Sequence, residues 1–412
     1  MTAVRKPVWK QIGYGFGICL LILLGIAQFF KKDLMRLKFV LTISEPSAIV
    51  ENFRSMTRVF DHRTVRRNGP TYRIPYQKKS LPETYTYAGR RHNLTQWITK
   101  TTTTGMIVIY DGKIAFERYF HGNHAKTPWI SWSLSHPIVS ALVGFAMEEG
   151  LIRSVSDLVT DYVPALKGTG YDGVTLTDVL QMTSGVAFDE NTGNFFSDIN
   201  RLRRSLALGA TMDDVVAARD RDRPPGTQNH ITGIDTQVLA MVLREATGRT
   251  LTAYMEEKLW SRIGVEADAY WLVDGSGMEL AFCGLNALLR DYARFGLLYL
   301  NDGKNFRAQQ IIPAHWIRAS VTPDRPRHMP GAGHPASSPP HGYGYQWWLP
   351  EPADGPYCAV GEYGQFLYIH PRCRVVVVKT AADTTPYHPE NDGVHESLAV
   401  CRAIAAHVSR TP

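Results

Sequence analysis

The segment Ile130-Ser131-Trp132-Ser133-Leu134-Ser135-His136-Pro137 sets a serine just ahead of the apolar run Ile138 to Met147. A serine hydroxyl is almost never ionised near neutral pH, so it attacks a carbonyl only when another group takes its proton. His136 lies three residues on, one helical turn away if the segment is helical. An imidazole with its ordinary pKa of about 6.5 is a general base that needs little tuning. Pro137 works against this pairing, because the residue before a proline is pushed out of the α region. The helix is therefore expected to start at Pro137, with His136 outside it and its stacking over Ser133 lost or distorted.

Ser133 needs elements to hold it. Thr104–Tyr110 and Lys113–Phe120 are β-rich runs separated by Asp111-Gly112, a two-residue hairpin signal. The run after Pro137 is apolar on nearly every face, as a helix buried in a domain would be. Helical patterns follow at Ser156–Tyr162, Thr177–Met182, Asp235–Thr247, Ala253–Trp260, Leu285–Leu300 and Pro313–Ser320. The stretch from Gly185 to about Asp222 reads as polar and irregular, and the loop Thr322–His341 as a lid or an insertion. Strand candidates return at Tyr343–Leu349, Tyr357–Gly361, Gln365–Ile369 and Arg374–Thr380, with a closing helix at Glu396–Val408. Strands at both ends with helices between predict an α+β fold. Its antiparallel sheet comes from both chain ends, flanked by helices plus an all-helical insertion.

Charge is uneven along the chain. Residues 1–92 hold 17 Lys and Arg against 5 Asp and Glu, while the remainder holds 28 against 33. The basic excess thus belongs to the N-terminal segment, which argues against a nucleic-acid-binding domain and for a membrane-proximal collar. Ile12 to Phe30 is an uncharged run of 19 residues between Lys10 and Lys31-Lys32. It is long enough for an uncleaved transmembrane helix, and no small-residue cleavage pattern follows it. The expected organisation is an anchor over 1–32, a basic tether and arm over 33–92, and a folded domain over 93–412. Cys19, Cys283, Cys358, Cys373 and Cys401 show no metal-ligand spacing, and their pairing is open.

Residues from about 83 to 405 resemble the β-lactamase-related serine hydrolases, the penicillin-recognising group with an S-x-x-K nucleophile. They are most similar to its esterase and 6-aminohexanoate-dimer hydrolase branch. The resemblance rests on ISWSLSHPIVSALVGFAMEEGLI, TLTDVLQMTSGV, PPGTQNHITGIDTQVLAMVLREATGRTL, GLNALLRDYARFGLLYLNDG, HGYGYQWWLP and AVGEYGQFLYIHP, in that order. It implies three catalytic elements. S-x-x-K falls on Ser133-Leu134-Ser135-His136, with the serine present and the lysine replaced. Y-x-N, counted without a gap from Pro225-Gly226-Thr227, falls on Ile231 and Gly233; isoleucine cannot carry a proton, and glycine has no amide. A register shift by one would offer His230 and Thr232 instead. The strand triad K-T-G falls on Ala359-Val360-Gly361, which argues against a β-lactamase or a carboxypeptidase gripping a terminal carboxylate. Gly361 and Gln365 remain as substrate-binding positions, since a glycine lets the strand approach a ligand closely.

Two proton-handling positions are replaced, and members of a catalytic unit do not act additively. One expectation is therefore a membrane-anchored member of this fold with little or no hydrolase activity. The other is an active esterase or amidase, in which Ser133 is the nucleophile and His136 or His230 the base. Backbone N–H groups at Ser133 and in the Gly361 strand would then hold the oxyanion. The ligand in either case is a small ester, amide or peptide-like molecule. The resemblance also implies no cofactor, and a domain exported to the periplasmic side of a bacterial inner membrane.

Overall fold

A computed structural model describes residue 28 and residues 30–325, 341–350, 355–385 and 392–410. Its main sheet has seven antiparallel strands. Their spatial order is Lys113–Tyr119, Thr103–Tyr110, Val375–Ala381, Gln365–His370, Tyr357–Gly361, Trp348–Leu349 and Gly342–Tyr343. Both ends of the chain build it, as expected. Asp111 and Gly112 turn the hairpin of Thr103–Tyr110 and Lys113–Tyr119 with φ of 45° and 75°, the double positive φ that matches the twist of paired strands. The strand Val375–Ala381 is buried at every residue, because helices cover both faces of the sheet. Val376 and Val378 face one core with Leu298 of the helix Leu289–Leu300. Val375 and Val377 face the other, with Leu398 and Ile404 of the terminal helix Asp392–Arg410. Alternate valines thus fill opposite cores, each contributing roughly 1.5–3 kcal/mol by burial.

A second sheet of four strands, in the order His62–Val65, Ala269–Leu272, Leu285–Ala287, Trp129–Ile130, hands the chain to Ser133. The helix His136–Glu148 follows, buried from His136 to Ala146 and packed on the helices Gly233–Thr247 and Leu251–Lys258. Gly144 lets it approach Trp316, for a Cβ there would stand 2.5 Å from the indole.

Several expectations need correction. The fold was expected to include a membrane-crossing helix at Ile12–Phe30. Among the described residues, no helix is long and apolar enough to cross a membrane. The first helix given bounds among the described residues, Lys31–Leu41, carries Lys31, Lys32, Asp33, Arg36 and Lys38 within eight positions; residues 12–27 and 29 of the run lie outside the described residues. His136 is not excluded from its helix: it takes φ −54° and ψ −52° as the first helical residue. Pro137 then holds a first-turn position, where its missing N–H has no intrahelical partner to lose. Leu285–Ala287 is a strand and not the start of a helix, because it pairs with both of its neighbours. The stretch before Asp222 contains the helices Asp198–Ala207 and Met212–Ala217, capped by Ser197 and Thr211. Of the loop Thr322–His341, residues 326–340 lie outside the described residues.

Candidate active site

Ser133 rides on one tight 3-10 turn, Trp132–Ser135, between the strand Trp129–Ile130 and the helix His136–Glu148. Trp132 takes a positive φ of 46°, a strained conformation for a large side chain, and is held by ring contacts to Phe53 (5.2 Å) and Tyr363 (5.0 Å). The neighbouring serines are structural. Ser131 Oγ donates to Trp132 O (2.8 Å), and Ser135 Oγ donates to Ala281 O (2.7 Å). Ser133 instead lines a cavity of about 320 Å³. The end of the strand Tyr357–Gly361 presses on this turn: a Cβ at Gly361 would lie 3.1 Å from Ser131 O and 3.2 Å from Ser133 N. That closeness explains the glycine. Ala359 and Val360 line the cavity. Gln365 is wholly buried and holds the strand end, accepting from Trp129 Nε1 and Ala381 N and donating to three carbonyls.

Each of the two candidate bases donates its Nε2–H to a backbone carbonyl. His136 Nε2 lies 3.0 Å from Phe282 O. A carbonyl only accepts, so this nitrogen carries the proton. Burial pushes the imidazole down to about 3, against the raising effect of that bond, so it is neutral at ordinary pH. His230 Nε2 likewise donates to Phe188 O (3.0 Å), and burial lowers its pKa. Among the described residues, neither imidazole hydrogen-bonds the Ser133 hydroxyl, although both line the same cavity.

Ile231 also faces the cavity, and Gly233 begins the helix Gly233–Thr247. A Cβ at Gly233 would meet the Phe282 ring at 2.7 Å. Phe282 therefore does two things: its carbonyl holds His136, and its ring fills the space that a side chain at position 233 would need.

Sequence reading missed the charged wall of the cavity. Glu190 Oε1 accepts from Gly233 N (2.7 Å) and Thr232 Oγ1 (3.0 Å), capping the helix Gly233–Thr247 from 43 residues away. Burial, reinforced by Glu362, pushes its carboxyl up to about 7, against the hydrogen bond from Gly233 N–H and the charge of Arg203. Arg203 pairs with Glu362 at 2.6 Å and lies 5.6 Å from the Trp132 ring. Arg203 sits on the unexpected helix Asp198–Ala207, and Glu190 in the stretch read as irregular. Helical spacing of Ile199, Leu202 and Leu206 was the available signal for the first; nothing local marks the second. The arm supplies the roof, through Arg36, Val40, Ile43, Met56 and Phe60. Asp61 holds it down with hydrogen bonds from Arg36 (2.6 Å) and Lys32 (2.9 Å).

This arrangement can be set beside known proteins. A 6-aminohexanoate-dimer hydrolase of Paenarthrobacter ureafaciens is 26% identical over 330 residues, covering 77% of this chain and 83% of that protein. The structure of a Bacillus anthracis protein assigned as a 6-aminohexanoate-dimer hydrolase superposes with a TM-score of 0.79 at 25% identity, over 90% of this chain and 97% of the other. A class C β-lactamase shares the fold at a TM-score of 0.57 and 17% identity, over 77% of this chain and 95% of its own. The family profile described as Beta-lactamase matches residues 94–399. On that span, with the serine turn and the two-ended sheet in place, the chain belongs to the β-lactamase family of serine hydrolase-fold proteins.

Proposed function

We propose that this member binds a small ester, amide or peptide-like ligand over Ser133 and turns it over slowly or not at all. The observation that carries the reading is Phe282. Its carbonyl accepts from His136, its ring occupies the space beside Gly233, and among the described residues no lysine, tyrosine or histidine side chain hydrogen-bonds the Ser133 hydroxyl. A nucleophile without its base loses most of its rate. The relatives named for hydrolysing 6-aminohexanoate dimer support an amide-bearing ligand. The test is labelling of the full-length protein with a fluorophosphonate, alongside turnover of an acyl ester. Ser133-dependent labelling and turnover are expected at or near the blank; robust labelling lost in Ser133→Ala would overturn the reading.

One observation favours a second reading. Glu190 shares the cavity with Ser133, at the helix start where the tyrosine and asparagine are missing, and its carboxyl is held up at about 7. A carboxylate so poised can act as general base. In that case labelling rises through pH 7 and is abolished by Glu190→Gln, while the His136→Gln variant keeps it.

A further inference from the structure

The roof of the cavity has an outer face that its role as a roof does not explain. Large exposed apolar side chains gather on two helices. Phe30, Leu34, Met35 and Leu41, each between 46% and 55% exposed, lie on or beside the arm helix Lys31–Leu41. Phe195, Phe196 (71%) and Leu208 flank the helix Asp198–Ala207. Only Tyr76 and Leu151 are comparably exposed elsewhere among the described residues. The two helices pack together: Leu41 and Phe195 line one shallow depression, and Arg36 and Leu206 line the main cavity beneath. A surface helix normally buries its apolar stripe and shows a polar one. Here the inner faces close the cavity, and the outer faces carry a further apolar patch, of the kind that marks an interaction site.

Charge identifies the partner. Lys31, Lys38 and Arg201 are exposed around the patch, and Arg204 lies 4.0 Å from the Phe195 ring. Of the acidic groups of this region, Asp198 pairs with Arg219 at 3.0 Å and Asp61 with Lys32 and Arg36, which leaves Asp33 and Glu45 against Lys31, Lys38, Arg201 and Arg204, a basic balance. A second copy meeting this face across a two-fold axis would bring like charges together. An anionic lipid surface meets the same face with apolar chains under the phenylalanines and leucines, and headgroups under the lysines and arginines. We propose that the outer face of the arm helix and of the helix Asp198–Ala207 docks on an anionic lipid surface. Docking there seats the cavity roof at the interface, whether or not Ser133 turns its ligand over. It requires no membrane-crossing helix.

Hydrogen–deuterium exchange of the full-length protein tests this, with phosphatidylglycerol vesicles, with phosphatidylcholine vesicles, and without lipid. The local readout separates this face from any attachment through residues 1–29. Slower exchange of residues 31–41 and 195–208 is expected with phosphatidylglycerol only, weakening as salt is added. A Leu34→Gln, Phe196→Ser double variant should lose that protection while melting at the temperature of the parent. Lys31→Glu with Lys38→Glu should lose it as well. Vesicle-bound protein with unprotected 31–41 and 195–208 would overturn the proposal. So would protection that needs no lipid and grows with protein concentration, which would assign the face to a second copy.

Discussion

At the scale of residues, His136 shows how an apparent activator becomes a structural group. Its ring is held by Phe282 O and is almost wholly buried, and burial drives its pKa down to about 3. The unfolded chain binds this proton near pH 6.5, the folded chain near 3, so between those values acid favours unfolding. Its contribution is complete above pH 6.5 and is lost as pH falls, by up to about 1.4 kcal/mol per pH unit. His136→Gln should therefore be less stable than the parent at pH 7.5, by roughly 1–2 kcal/mol for the lost bond. The gap should narrow or reverse by pH 5. Urea unfolding of both proteins at the two pH values measures it; a gap independent of pH would mean that His136 titrates normally.

At the scale of elements, the close approach of the nucleophile's helix to its neighbours depends on small residues. Gly144 faces Trp316 with no room for a methyl group, since the nearest ring atom would be 2.5 Å from it. Gly144→Ala should cost roughly 1–3 kcal/mol, read as a lowered melting temperature. Because this helix opens with His136, the same substitution should also weaken ligand retention in the cavity. An unchanged melting temperature would show that the Trp316 ring yields without cost.

At the scale of the molecule, one charged cluster ties the arm, the strand Lys113–Tyr119 and the helix Leu289–Leu300 together. Arg290 donates to Glu117 through Nε (2.6 Å) and Nη2 (2.8 Å), and also reaches Glu266 (3.1 Å) and the Tyr76 hydroxyl (2.7 Å). Burial raises the Glu117 pKa, but hydrogen bonds from Arg290, Tyr119 and Tyr76 outweigh it and hold the carboxyl below its ordinary value. A carboxylate lowered in this way stabilises the fold above its ordinary pKa, and that contribution is lost as pH falls. Arg290→Met leaves Glu117 buried without its cation and should cost roughly 2–4 kcal/mol near neutral pH. Below about pH 4 the difference should shrink, as Glu117 becomes protonated in both proteins. Chemical denaturation across pH measures this, and a pH-independent difference would separate the loss from Glu117.

What the sequence by itself determined was local. Asp111-Gly112 signals a hairpin, Arg374–Thr380 reads as a strand, and a serine before an apolar run marks a turn into a buried helix. The replaced motif positions His136, Ile231, Gly233 and Ala359 are what the family resemblance implies when the motifs are counted without a gap; a shift by one would put His230 and Thr232 in place of Ile231 and Gly233. The helices before Asp222 were missed because their polar faces outweigh short apolar stripes. Tertiary structure alone decided what the site contains. His136 meets Phe282 across 146 residues, Glu190 caps Gly233 across 43, and Arg203 reaches Glu362 across 159. No spacing rule spans such distances. A hydrogen bond to a distant carbonyl, and the burial that removes a charge, exist only once the chain has closed around them.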